Sequence, residues 1–131
     1  MSVRRISFQS IPVDDQDRAL AFYRDVLGFA VQTDLPYGEG WRWIFLTVPG
    51  SESRIQFARW TDIVVNDKPV LALVCDDVDA DCLAWTRAGA EIVTAPGDAP
   101  WMAGVRWAMI RDSEGNLVFV ESWKPATVAG G

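Results

Sequence analysis

The chain has 131 residues, of which 12 are basic and 18 acidic, giving a net charge of −6, and it contains no histidine. Half of the residues are apolar, so the length suits a single compact domain. The acidic balance argues against binding to a nucleic-acid backbone. We interpret Cys75 and Cys82 as small buried side chains rather than a disulfide. No secretory leader or long apolar run is recognised, so a cytoplasmic protein without membrane contact is expected.

The first half of the chain predicts one helix among four strands. An alternating strand, residues 6–13, runs into Asp14-Asp15, a pair suited to cap a helix. The helix is predicted over residues 16–27, because apolar side chains recur at helical spacing and Gly28 follows. Three more strands are predicted over residues 29–33, 41–48 and 54–58.

The second half predicts the same order of elements. A strand over residues 70–75 leads into Asp76-Asp77, then a helix over residues 78–88 that ends at Gly89. Strands follow over residues 91–95, 105–111 and 117–123. Each half therefore predicts a βαβββ module. Residues 61–69 are expected to link the modules, and residues 124–131 to form a loose tail.

The two halves also agree residue by residue. The segment 13–17 (Val-Asp-Asp-Gln-Asp) matches the segment 75–79 (Cys-Asp-Asp-Val-Asp) 62 positions later. The segment 40–43 (Gly-Trp-Arg-Trp) matches the segment 104–107 (Gly-Val-Arg-Trp) 64 positions later, after a two-residue insertion. Two copies of about 60 residues predict a pseudo-twofold arrangement with any site between the halves.

Several motifs resemble the vicinal oxygen chelate superfamily, which includes glyoxalase I, extradiol dioxygenases, fosfomycin-resistance enzymes and bleomycin-binding proteins. The motifs are Asp15 seven residues before Phe22-Tyr23, then Asp25-Val26-Leu27-Gly28-Phe29, Asp76-Asp77-Val78-Asp79 and Asp112-Ser113-Glu114-Gly115-Asn116. The resemblance covers residues 4–123. It implies an α+β fold in which two βαβββ modules, about 4–60 and about 70–123, form a cup-shaped mixed sheet with helices outside. It also implies one domain over residues 1–131 and a homodimer.

The resemblance further places four metal-ligand positions, usually His, Glu or Gln, at Phe8, Gln56, Val70 and Phe119. Three of these side chains cannot bind a metal, and a single carboxamide does not hold Zn²⁺, Ni²⁺ or Fe²⁺. An iron site of two histidines and one carboxylate is excluded without histidine. We therefore expect a member without metal or other cofactor, and neither a metal-dependent glyoxalase nor an iron dioxygenase.

Strand alternation assigns an aromatic lining to the cup, because Ile44 and Leu46 suit packing against a helix and their neighbours then point the other way. Trp101 lies in a loop rich in Pro, Gly and Ala, where an aromatic side chain can close over a pocket. The predicted ligand-binding residues are Phe8, Trp41, Trp43, Phe45, Gln56, Trp101, Trp107, Phe119 and Glu121. The alternative is that these side chains fill the cup as a second core or a dimer seam.

These observations favour a small-molecule binding protein of the bleomycin-resistance type, acting by sequestration of a hydrophobic or aromatic compound that can be cationic. Glu121 could pair with the cation. A second hypothesis is a metal-independent enzyme, a lyase or isomerase, in which Glu121 acts as acid or base. A third is a structural dimer without ligand. The sequence names no particular ligand.

Overall fold

The structure is a computed structural model that describes residues 2–59 and 68–123. The chain divides into two compact units, Met1–Val64 and Val65–Gly131. In its described part, each unit holds four strands and one helical segment in the order βαβββ. The α+β class and the two βαβββ modules are thus confirmed. Most of the predicted linker, residues 61–67, and the predicted tail, residues 124–131, lie outside the described residues.

The first unit is a mixed four-stranded sheet with one helical segment. The order across the sheet is β1-β4-β3-β2, with β1 parallel to β4 and the other neighbours antiparallel. The helix α1 continues directly into a π-helical turn. The elements are β1 Gln9–Pro12, α1 Gln16–Ala21, the π-helical turn Phe22–Val26, β2 Ala30–Gly38, β3 Trp41–Thr47 and β4 Arg54–Ala58.

Side-chain hydrogen bonds fix the beginning of α1. The carboxylate of Asp15 accepts from the backbone N–H of Arg18 at 3.1 Å, which confirms the predicted cap. The buried amide of Gln16 donates to the backbone carbonyl of Arg42 at 2.7 Å and accepts from the Arg42 N–H at 2.9 Å. This pair of bonds joins the first turn of the helix to β3.

The end of the first helix differs from the prediction of one α-helix over residues 16–27. From Phe22 the backbone forms a π-helical turn, and Leu27 N–H donates to the Phe22 carbonyl at 3.2 Å. Phe22 and Tyr23, although adjacent in sequence, are both buried there. Tyr23 packs against Phe57 of β4 with ring centroids 5.7 Å apart. The wider turn therefore contributes a side chain to the core of this unit.

The second unit repeats this arrangement. Its sheet order is β5-β8-β7-β6, with β5 parallel to β8. Asp77 caps the helix by accepting from Ala80 N–H at 3.1 Å, and Ser122 Oγ accepts from Val78 N–H at 3.2 Å. Cys82 and Trp85 of the helix are buried. The elements are β5 Leu71–Val74, α2 Val78–Arg87, β6 Glu91–Asp98, β7 Val105–Arg111 and β8 Leu117–Trp123.

Two strands are longer than the sequence predicted. β2 runs to Gly38 rather than Thr33, and β6 runs to Asp98 rather than Ala95. Both are edge strands that contain Pro and Gly, and Pro is tolerated at an edge because no neighbour on the open side needs its missing N–H. β1 is shorter than predicted and begins at Gln9. No helix among the described residues is long and apolar enough to span a membrane.

Candidate functional site

One face of the first sheet is aromatic. On β3, Ile44 and Leu46 are fully buried, whereas Trp41, Trp43 and Phe45 alternate with them and remain at least partly exposed. This is the alternation that the sequence predicted. The ring of Phe45 meets the ring of Trp43 edge-on at 6.0 Å and that of Phe8 at 5.2 Å. We call this surface the first aromatic face.

Tyr37 extends the first aromatic face along the edge strand β2. The register with β3 jumps from Pro36↔Arg42 to Gly38↔Trp41, so Tyr37 occupies a β-bulge. Bulges often aim a side chain at a site. The Tyr37 ring stacks on Trp43 with centroids 5.0 Å apart and an interplanar angle of 14°. Tyr37 is 68% exposed and Trp43 is 38% exposed, so a stacked aromatic pair stands open to solvent.

A cavity of about 750 Å³ adjoins this stacked pair. This volume lies within the range of about 300 to 1,000 Å³ that is typical of sites for small molecules. The cavity belongs to the first unit. Its described lining residues are Tyr37, Gly38, Glu39, Trp41, Trp43 and Arg59.

Two guanidinium groups lie over rings of the first aromatic face. That of Arg54 is 4.8 Å from the centroid of Phe45, and that of Arg59 is 5.3 Å from the centroid of Trp41. A cation in this position is attracted by the electron-rich face of the ring. The arrangement supplies positive charge beside the open tyrosine and tryptophan pair.

The second unit carries its own aromatic cluster. The rings of Trp107 and Phe119 are stacked with centroids 5.8 Å apart and an interplanar angle of 19°. Trp101 covers both, at 5.2 Å from Trp107 and 6.1 Å from Phe119, and is itself 54% exposed. The loop tryptophan therefore packs on the predicted ring pair. We call these three residues the second aromatic cluster.

Glu121 lies on the strand that carries Phe119 and opposes Trp107 in the register of β7 and β8. Its carboxylate accepts a hydrogen bond from the indole N–H of Trp123 at 2.9 Å. The side chain is only partly exposed. Its assignment as a ligand or catalytic group stays a prediction.

Arg42 and Arg106 occupy equivalent positions in the repeat. Each forms ion pairs within its own module rather than contacts with the aromatic surfaces. Arg42 on β3 pairs with Asp17 at 2.7 Å and with Asp34 at 3.0 Å, and these carboxylates raise its pKa above the ordinary value. Arg106 on β7 makes the equivalent contacts, with Asp79 at 2.6 Å and a second aspartate at 3.2 Å. Each arginine ties the start of a helix to an edge strand.

The four positions at which the superfamily places metal ligands do not fit a metal. Phe8, Val70 and Phe119 offer no donor atom. Gln56 is 1% exposed, and its Oε1 accepts a hydrogen bond from Ser10 Oγ at 3.2 Å. No group of three or more His, Cys, Asp or Glu side chains suited to a metal occurs among residues 2–59 and 68–123.

The structure brings most predicted site residues into two clusters. Phe8, Trp43 and Phe45 form ring contacts in the first unit, with Trp41 lining the cavity beside them. The buried Gln56 does not line the cavity. Four of the described cavity residues, Tyr37, Gly38, Glu39 and Arg59, were absent from the prediction. For Tyr37, the alternation of Thr33, Leu35 and Tyr37 was a usable signal that the intervening Pro and Gly obscured; for Arg59 we find none.

A family model described as the glyoxalase/bleomycin resistance protein/dioxygenase superfamily matches residues 5–120. The chain belongs to this superfamily. TnmS3, an antibiotic binding protein from Streptomyces sp. CB03234, is 29% identical with a TM-score of 0.78, covering 95% of this chain and 99% of that chain. A glyoxalase/bleomycin resistance protein from the same strain is 32% identical with a TM-score of 0.69, covering 85% and 94%. YetH of Bacillus subtilis (strain 168), an uncharacterized protein, is 22% identical over 121 residues, 91% of this chain and 98% of YetH. The predicted membership is confirmed.

Proposed function

We propose that this superfamily member is a metal-independent binding protein of the bleomycin-resistance type that sequesters a flat aromatic or hydrophobic small molecule. The observation that carries the proposal is the open stack of Tyr37 and Trp43 beside a cavity of about 750 Å³. In a filled core these rings would be shielded from water, yet both are more than one-third exposed. A ligand that covers them would remove this apolar surface from solvent.

Aromatic contacts and the burial of apolar surface are sufficient to give a favourable free energy of binding. Each aromatic partner contributes about 0.5 to 1.5 kcal/mol beyond the area it buries. A ring that contacts Trp43 and one further aromatic side chain would therefore gain about 1 to 3 kcal/mol from these contacts. Sequestration requires no proton transfer and no metal. This agrees with Phe8, Val70 and Phe119, which offer no donor atom at the positions where the superfamily places metal ligands.

The similarity to TnmS3 supports the proposal, because that protein is described as an antibiotic binding protein and covers 95% of this chain. We further propose a cytoplasmic homodimer, since exposed aromatic patches are commonly covered by a second subunit. The second aromatic cluster, with Trp101 exposed, is a further surface of this kind.

Isothermal titration calorimetry with β-naphthol and its saturated analogue decahydro-β-naphthol tests the proposal. The two compounds share a carbon skeleton and a hydroxyl group, but only the first is flat and aromatic. We expect saturable binding of β-naphthol and at least about fivefold weaker binding of the saturated compound. Equal binding of both, or of neither, would count against an aromatic site.

A variant pair locates the binding. Trp43→Leu removes the stacked indole and should weaken β-naphthol binding about fivefold or more. Trp123→Leu is the matched control, because Trp123 is 55% exposed but does not line the cavity. Equal losses in the two variants would show that the first aromatic face does not hold the ligand.

A further inference from the structure

Arg54 and Arg59, the two arginines on the first aromatic face, have partners of a different kind from those of three other arginines. In the part of the chain that the structure describes, Arg24, Arg42 and Arg106 pair with aspartates. Arg54 and Arg59 instead place their guanidinium groups over aromatic rings. Their positive charges are therefore concentrated on one surface.

Among residues 2–59 and 68–123, the hydrogen-bond partners of Arg54 include no carboxylate. Its guanidinium donates to the Ser7 carbonyl at 3.1 Å, to Ser7 Oγ at 2.9 Å and to Gln32 Oε1 at 2.8 Å, all of them neutral acceptors. These bonds hold the group over Phe45. Arg54 thus acts as a fixed positive charge on the face.

Arg59 is the basic residue among the described residues that line the cavity, and its side chain is exposed. Among residues 2–59 and 68–123, no carboxylate lies within ion-pair distance of it. In the described part of the chain, its guanidinium group contacts the ring of Trp41, with Cζ 5.3 Å from the ring centroid. A guanidinium group binds a carboxylate through two parallel hydrogen bonds, a geometry that an ammonium group cannot supply.

Glu39 places a negative charge at the same cavity as Arg59. It lies between Gly38 and Gly40 in the turn after β2 and lines the same cavity. Arg59 and Glu39 are the charged residues among the described cavity lining, and Arg54 over Phe45 adds a second guanidinium group to the same face, in a chain whose net charge is −6. A local potential opposite in sign to the whole protein favours an anion at this place.

We propose that the first aromatic face selects flat aromatic ligands that carry an acidic group, with the ring against Tyr37 and Trp43 and the anionic oxygens at Arg59. This inference rests on the proposed function and narrows its ligand class. It differs from the sequence-based expectation of a compound that can be cationic, for which Glu121, in the other unit, was the candidate partner. The proposed ligand class is therefore an aromatic carboxylate or phenolate.

Three probes that share one ring system and differ in charge test the inference: β-naphthoate, neutral β-naphthamide and β-naphthylmethylammonium. Calorimetric titrations at about pH 7.5, where the carboxylate is ionised, should give the order naphthoate, naphthamide, ammonium from tightest to weakest. We expect about a fivefold step between naphthoate and naphthamide, because the cation is exposed. The step should shrink when NaCl is raised from about 0.02 to about 0.5 M.

Charge variants assign the preference to Arg59. Arg59→Gln should abolish the advantage of naphthoate over naphthamide while leaving naphthamide affinity within about twofold, and Arg59→Lys should retain part of the advantage. Arg87→Gln is the control, since it removes the same charge from an exposed position at the end of α2. Glu39→Gln should increase the advantage of naphthoate.

The outcomes separate the inference from the proposed function. If no probe binds, the proposed function fails. If all three bind with equal affinity, or the ammonium compound binds tightest, the proposed function stands and the anion preference is wrong. A preference for naphthoate that survives in Arg59→Gln would also overturn the assignment to this residue.

Discussion

The substitution Phe119→Glu distinguishes a solvent-reachable aromatic surface from a filled core in the second unit. Phe119 occupies a position at which the superfamily places a metal ligand, so the change restores a carboxylate there. The ring lies between full burial and full exposure, stacked on Trp107 and partly covered by the exposed Trp101. The new carboxylate therefore has a path to water.

The magnitude follows from the two ring contacts that are lost. Each is worth about 0.5 to 1.5 kcal/mol beyond the area that it buries, so the two contacts alone account for a loss of about 1 to 3 kcal/mol in the free energy of unfolding. At about 3 to 5 °C per kcal/mol for a chain of this size, Tm should fall by about 3 to 15 °C. A carboxylate buried without a partner would instead cost an amount comparable to the whole stability of about 5 to 15 kcal/mol.

Differential scanning calorimetry and far-ultraviolet circular dichroism measure the effect. Val120→Glu is the matched control, because Val120 is the next residue on β8 and is 0% exposed. We expect Phe119→Glu to fold and melt cooperatively and Val120→Glu to be unfolded or insoluble. If both variants fail to fold, Phe119 belongs to a filled core, and a solvent-reachable aromatic surface in the second unit is ruled out.

Further predictions concern metal, assembly and the thiols. Elemental analysis should find no stoichiometric divalent ion, and a chelator should leave Tm unchanged; about one Zn, Ni, Mn or Fe per chain would contradict the account. Light scattering at micromolar concentration should report a dimer, and a single species of 14.5 kDa would overturn that expectation. Desolvation, with a smaller contribution from Asp81, raises the pKa of the Cys75 thiol from 9.0 to about 12. Above about pH 9 the unfolded chain therefore releases this proton while the folded chain retains it, so the free energy of unfolding should fall between about pH 9 and pH 12. In chemical denaturation across this range, Cys75→Ala should show a smaller fall than the parent; equal falls would show that the thiol does not contribute.

The sequence predicted the elements where local signals and packing agree. Asp15 and Asp77 both cap helices as expected, and the alternation on β3 correctly separated Ile44 and Leu46 from Trp41, Trp43 and Phe45. The match between segments 40–43 and 104–107 also places Arg42 and Arg106 in equivalent positions, where both pair with aspartates. These features depend on neighbours in sequence, or on a pattern that occurs twice.

The features that were not predicted depend on contacts across the sheet. Pro36 and Gly38 argue locally against a strand, but pairing with β3 extends β2 through both of them. Tyr37 reaches Trp43 only because of that extension. The position of Arg59 over Trp41 is likewise tertiary. The stacking of Tyr37 on Trp43 and the position of Arg59 were therefore not predicted from residue patterns.

The central claim is that this superfamily member binds an aromatic compound without a metal and without changing it. Calorimetric titration of chelator-treated protein with β-naphthoate, followed by mass spectrometry of the recovered compound, tests it most directly. We expect saturable binding with the same affinity before and after chelation, and recovery of the unaltered compound. Binding that disappears on chelation and returns with added metal, or a chemically altered product, would contradict it.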